Sequence, residues 1–242
     1  MLSEIKKISS LLLSVAFSSI GFIASITVTV LAAREVSSNP LFVGFPNAVG
    51  VGGAVLGTRM IYLISKNNSQ LNALAFTFLI GAFGGAIMFY SLIVDSFVML
   101  LFGAFILGIG QSATLQTRYA ASFVASEKFK ATALSLAVWF SVFGSVFGPR
   151  MVGSYSNFFE NIFNSELIVG YVIALVGMLF AASSLFIFTS KKSILRSPSN
   201  LESELNNQNS NKKNGNLLSL LLVLNHFTMV VIMSATPLHI QD

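Results

Sequence analysis

The sequence predicts an all-α membrane protein on three observations: apolar residues come in unbroken runs long enough to cross a bilayer, only 10% of residues are charged, and mean hydropathy is +0.79. An ordinary soluble domain carries roughly a quarter of charged residues, so too few are present here to clothe a water-facing surface. A run of about 20 apolar residues, rising about 1.5 Å per residue, spans the hydrocarbon core. Lipid is therefore the solvent for most side chains, and the bilayer is the first partner.

Six full runs and the start of a seventh follow along the chain. The first, about 9–33, comes after Lys6 and Lys7. It is much longer than the roughly 7–15 residues of a signal-peptide h-region and five more runs follow, so it reads as a retained helix and not as a leader cleaved near Ala32 or Ala33. The second, about 41–64, carries Gly53 and Gly57; the third, about 71–94, carries Gly81 and Gly85; the fourth is about 96–117. The fifth, about 131–153, carries Gly144 and Gly148, and the sixth is about 167–190. Small residues four apart share one helix face and let a neighbouring backbone approach closely, which favours packing by dispersion where lipid removes the hydrophobic drive. Pro149 follows in Gly148-Pro149-Arg150-Met151-Val152-Gly153. Proline removes a backbone donor and clashes with the preceding turn, so a kink or an end is expected there.

These runs form a six-helix bundle over 1–190. From 191 to 215 the composition turns to Lys, Ser, Asn and Glu, a polar cytoplasmic linker unable to bury apolar surface. Residues 216–242 are a seventh apolar run that stops with the helix barely complete, as at the start of a second bundle. A chain that is the front part of a longer product, with a C-terminal half in the full-length protein, is the expectation.

Charge gives the orientation. With the N-terminus inside, twelve of the 14 Lys and Arg residues fall on the cytoplasmic side and only Arg34 and Arg150 outside, as the positive-inside rule requires. Glu35, Asp95, Glu160 and Glu166 join those two outside. The expected location is the cell membrane, multi-pass, with a cytoplasmic N-terminus.

Other classes lack their residues. No cysteine is present, which removes disulfides, thiolate metal sites and thiol nucleophiles. Two histidines, both in the seventh run, and scattered acids offer no catalytic or metal constellation, and no hydrolase, zinc-protease or phosphate-loop motif occurs. The expectation is a non-enzyme without cofactor. The net charge of +5 is spread among apolar spans and makes no basic, aromatic-interleaved patch, so nucleic acid is not an expected partner.

A solute cavity would be lined by neutral polar residues inside the spans. Asn47 and Gln111 lead, because a carboxamide in lipid needs an outside partner. Thr114 and Ser18 follow, although hydroxyls can satisfy themselves on the preceding turn. Arg59 and Arg118 lie near cytoplasmic ends, where snorkelling or a gate contact each account for them. His226 is the one titratable candidate in the seventh run near neutral pH. Apolar and aromatic surroundings suit a small hydrophobic solute.

The segment Gly144, Gly148, Pro149 and Gly153 resembles the GxxxGPxxGG signature in the fifth helix of the major facilitator superfamily, most closely that of its drug:proton antiporter branches, with Val152 in place of the first glycine of the final pair. Gly108-Ile109-Gly110-Gln111 running to Arg118-Tyr119-Ala120-Ala121 resembles the superfamily's fourth helix, and Glu127 to Ser135 resembles the loop entering its fifth. Met233 to Leu238 is similar to a seventh-helix segment of some prokaryotic members. The resemblance implies two six-helix halves, the first made of two inverted three-helix repeats at about 9–94 and 96–190, moving by alternating access around a midplane site. It also implies a gating role for the Gly144 to Gly153 segment, export of a small solute, and protons as the coupling ion. Gly57 to Lys66 lacks the acid of the family's GxxxDRxGRR loop, and Ala104 stands where its fourth-helix arginine would fall. A seven-helix receptor or sensor and a non-transporting membrane scaffold remain the alternative readings.

Overall fold

In the computed structural model the residues described, 2–37, 42–67, 69–163 and 165–189, form helices joined by short turns, with no strand among them. The polar linker, the seventh run and His226 lie outside the described residues. The six helices are α1 (Leu2–Val36), α2 (Phe45–Asn67), α3 (Gln70–Ile93), α4 (Phe97–Val124), α5 (Lys130–Phe163) and α6 (Ile168–Thr189). All six are long and apolar enough to cross a membrane. They belong to one compact unit, Met1–Leu195. The protein is a multi-pass, all-α membrane protein.

Local chemistry sets several ends. Ser96 caps α4, its Oγ accepting from the Met99 amide at 3.4 Å. Asp95 just before it takes a left-handed φ of 50°, which turns the chain sharply from α3 into α4. A single 3-10 turn, Glu127–Phe129, leads into α5.

Pro149 neither ends nor interrupts α5, which runs on to Phe163. Stopping there would leave the last four carbonyls of the helix without partners, each costly in lipid, whereas continuing loses a single backbone bond. No second proline follows from Arg150 to Phe163, and Pro149 itself sits on an exposed flank.

The packing repeats under exchange of the first three helices for the last three. α3 lies against α4 as α6 lies against α1; α2 lies against α4 as α5 lies against α1; α3 and α6 meet each other, as do α1 and α4. Contacts within each group of three are sparse beside those between the groups. α1 and α4 are therefore central, α3 and α6 close the back, and α2 and α5 stand at the flanks.

Small residues make these approaches possible. A Cβ placed on Gly81 of α3 would meet Gly110 Cα of α4 at 2.7 Å, and one on Gly144 of α5 would meet the Ser19 carbonyl carbon of α1 at 2.6 Å. Both are closer than real side-chain carbons come, so only glycine fits. The core is accordingly rich in alanine, with Ala73, Ala113, Ala133 and Ala174 fully buried. The large apolar side chains largely point outward: Phe83, Phe102, Trp139 and Phe147 are exposed, as lipid permits.

Polar groups inside the bundle bind helix to helix. Ser14 Oγ lies 2.5 Å from Ser184 Oγ and 3.1 Å from the Ala181 carbonyl, joining α1 to α6. Further along the same pair, the buried Tyr171 hydroxyl donates to Thr29 Oγ1 at 3.5 Å. Glu35 lies within electrostatic reach of both Asp95 and Glu166, so the α1, α3–α4 and α5–α6 ends share one side of the bundle.

Candidate functional site

α4 carries three of the polar residues singled out in the sequence, Gln111, Thr114 and Arg118. Gly110 abuts Gly81 of α3, and Gly108 abuts Gly50 of α2, so two opposing flanks of α4 are occupied by those helices. Val98 and Phe102, 76% and 57% exposed, mark the side turned to lipid. At about 100° per residue, Gln111 falls about 180° from Phe102, with Thr114 and Arg118 near it at i+3 and i+7. These three thus form a strip on the inner side of α4, toward the centre of the bundle, where α1 also packs.

The strip is incompletely satisfied. Thr114 is 4% exposed and its Oγ1 has no hydrogen-bond partner. Arg118 is half-buried, and its Nε is sealed from solvent and likewise without a partner. Gln111 is half-buried between the two environments. Neighbouring Ser112 and Thr117, by contrast, donate to the Ile109 and Ala113 carbonyls one turn back, both at 2.7 Å.

The remaining sequence candidates lie elsewhere. Ser18 is fully buried and spends its hydroxyl on the Val15 carbonyl of its own helix, at 3.3 Å. It is the adjacent Ser19, packed against Gly144, whose hydroxyl is buried and unpartnered. Asn47 is half-buried in the first turn of α2, one turn before Gly50, which meets the Ala104 carbonyl; Gln111 is two turns further along α4, so the carboxamides do not converge. Arg59 is exposed on α2, away from the strip. In the proline segment Gly144 and Gly148 are buried against α1, whereas Pro149 and Gly153 are exposed and a Cβ on Gly153 would meet nothing within 4 Å.

Sequence reasoning missed Ser19 and the Ser14–Ser184 pair. A serine's type and position do not reveal whether its hydroxyl bonds its own helix or a neighbour, because both geometries keep the same spacing. An apolar groove between α3 and α6, walled by Leu79, Val176, Leu179 and Phe186, faces outward and has no charged lining. Among the described residues no group of His, Cys, Asp or Glu is arranged to hold a metal.

Comparison with known proteins supplies kin over nearly the whole chain. The uncharacterized MFS-type transporter YdeG of Bacillus subtilis (strain 168) is 26% identical over 239 residues, which covers 95% of this chain and 56% of that protein. The uncharacterized MFS-type transporter YddS of the same organism is 27% identical over 245 residues, covering 97% of this chain and 56% of the relative. The chain thus spans about half the length of the curated relatives it matches. No protein-family model and no solved structure matches it.

Proposed function

We propose that this chain, related to MFS-type transporters along 95–97% of its length, forms the N-terminal six-helix half of a secondary transporter of the major facilitator type. The half moves by alternating access and exports a small, largely hydrophobic solute past the inner strip of α4, driven by protons. The kinship does not favour the seven-helix receptor reading.

One observation carries the proposal: α2 and α5 are far less buried than the other helices. Of the most apolar 18 residues in each helix, 22% and 28% are buried there, against 56–61% for the rest. On α5 only Ala133, Ala137, Gly144 and Gly148 are buried, a single narrow stripe along α1. One open flank bears Trp139 and Phe143, which suit lipid; the other bears Ser135, Val138, Ser145 and Pro149, small residues that suit another helix. A second bundle covering the small flanks, and rocking on them, is the arrangement that two-half transporters use. The solute then meets Gln111 and Thr114 between the halves, Arg59 and Arg118 guard the cytoplasmic mouth, and the Gly144 to Gly153 segment shapes the sliding face.

The cysteine-free sequence makes the test direct. Single cysteines at Gln111, Phe102, Lys128 and Glu166 are treated with a membrane-impermeant maleimide in right-side-out and inverted cell-membrane vesicles. The expected result is labelling of position 128 only from the cytoplasmic face, of 166 only from outside, of 111 from the cytoplasmic face, and none at lipid-facing 102. Reaction at 102 with none at 111 would overturn the inner-path reading, and reversed sidedness at 128 and 166 would overturn the orientation.

A further inference from the structure

Charge is unevenly shared between the two ends of the bundle. Glu35, Asp95 and Glu166 collect at one end, and Glu127, at the other, is engaged with Lys130 at 2.7 Å. Glu160 is exposed near the outer end of α5, well beyond Pro149. Among the described residues no carboxylate pairs with Arg118. Yet Arg118 lies six residues inside the end of α4, about 9 Å along the axis. Its Nε is sealed and unpartnered, and a buried donor on a charged group is costly unless something supplies an acceptor.

One turn deeper on the same face, the buried Thr114 hydroxyl is also unpartnered. Snorkelling accounts for the part of the side chain that reaches solvent, but it leaves the sealed Nε without an acceptor. Guanidinium and hydroxyl, four residues apart on one face of α4, are both donors of the kind that bind an oxyanion. The walls nearby, Leu107 and Leu115, are apolar.

The geometry points to an oxyanion subsite formed by Arg118 and Thr114 of α4, occupied by an amphiphile that carries a carboxylate, sulfonate or phosphate on an apolar body. The inference rests on the reading that α4 lines the solute path, and it narrows the solute from hydrophobic to amphiphilic and anionic. A free solute and an anionic lipid headgroup offer the same chemistry.

The test uses the full chain in phosphatidylcholine nanodiscs and three probes of similar size: 1-naphthalenesulfonate, neutral 1-naphthalenesulfonamide and 1-naphthylmethylammonium. Equilibrium binding of the sulfonate should exceed that of the sulfonamide by about tenfold or more, the scale of a hydrogen bond to a charged group. Arg118→Gln should erase that margin and leave sulfonamide binding unchanged, Arg118→Lys should keep part of it, and Lys66→Gln, at the exposed end of α2, should not affect it. The proposal is overturned if the margin survives Arg118→Gln, or if that substitution weakens sulfonate and sulfonamide alike. Equal binding of all three probes would sink the oxyanion subsite while leaving the path intact; binding of none would sink both. With either source the proposal stands: phosphatidylglycerol abolishing the Arg118-dependent margin identifies a lipid headgroup, and a margin that persists identifies a free solute.

Discussion

The tightest test of the packing is Gly81→Ala. The new Cβ would stand 2.7 Å from Gly110 Cα, with Gly110 N at 3.4 Å and Met178 Sδ at 3.5 Å. Ordinary van der Waals contact begins near 3.4 Å, so α3 and α4 must part by roughly 0.7 Å at their crossing. A gap of that size forfeits a quarter to a half of each facing dispersion contact, and overpacking of this kind costs about 1–3 kcal/mol. Alanine recovers up to about 1 kcal/mol of helix propensity, which leaves a net loss of about 0–2 kcal/mol, and about 1–3 kcal/mol relative to a glycine-to-alanine change that meets no neighbour. Gly153→Ala is the matched control: it lies within α5 with nothing within 4 Å of its added Cβ, so it should be neutral or slightly stabilising. Reversible unfolding in mixed detergent and SDS micelles, followed by far-ultraviolet circular dichroism, reads both variants. If Gly81→Ala unfolds at the same SDS fraction as Gly153→Ala, the α3–α4 approach is not as close as described.

Two further outcomes are expected. Ser14→Ala and Ser184→Ala should show a coupling of about 0.6 kcal/mol in a double-mutant cycle, the usual size of a hydrogen bond between membrane helices, and a coupling of zero would remove their bond from the account of the α1–α6 contact. Pro149→Ala should raise stability by about 1 kcal/mol in the same unfolding assay, because it restores a backbone bond in a helix that is already continuous; a loss would mean that the ring makes a packing contact of its own.

The fold class was legible because apolarity and length are local properties, and a 20-residue run means the same thing wherever it sits. Helix ends were less so. Arg118–Val124 and Ser154–Phe163 continue α4 and α5 past their most apolar stretches, where the hydropathy signal fades. Partnership was illegible for another reason. The spacing of Gly81 and Gly85 identifies a face, but Gly81 meets Gly110 of α4 while Gly85 meets Leu175 of α6, and nothing in the spacing distinguishes them. The α4 strip was half visible: Gln111 and Thr114 could be placed on one face by counting, and Arg118 joins them at i+7. That its Nε is sealed inside depends on neighbours far away in sequence.

The exchange symmetry of the packing bears on how the protein is made. Of the six helices α1 leaves the ribosome first, yet its principal neighbours are α5 and α6, the last two of the six, while α2 and α3 touch it only lightly. During synthesis the nascent α1 must therefore wait in the bilayer with Ser14 and Tyr171's acceptor Thr29 lacking their partners on α6 until more than a hundred further residues have been inserted. Each of these hydroxyls has a carbonyl on the preceding turn to hold meanwhile, Ser10 for Ser14 and Ser25 for Thr29, at 2.8 and 2.6 Å. The serines and threonines of α1 thus let the helix be stable alone in lipid first and bound to its neighbours later, an order of events imposed by the direction of translation.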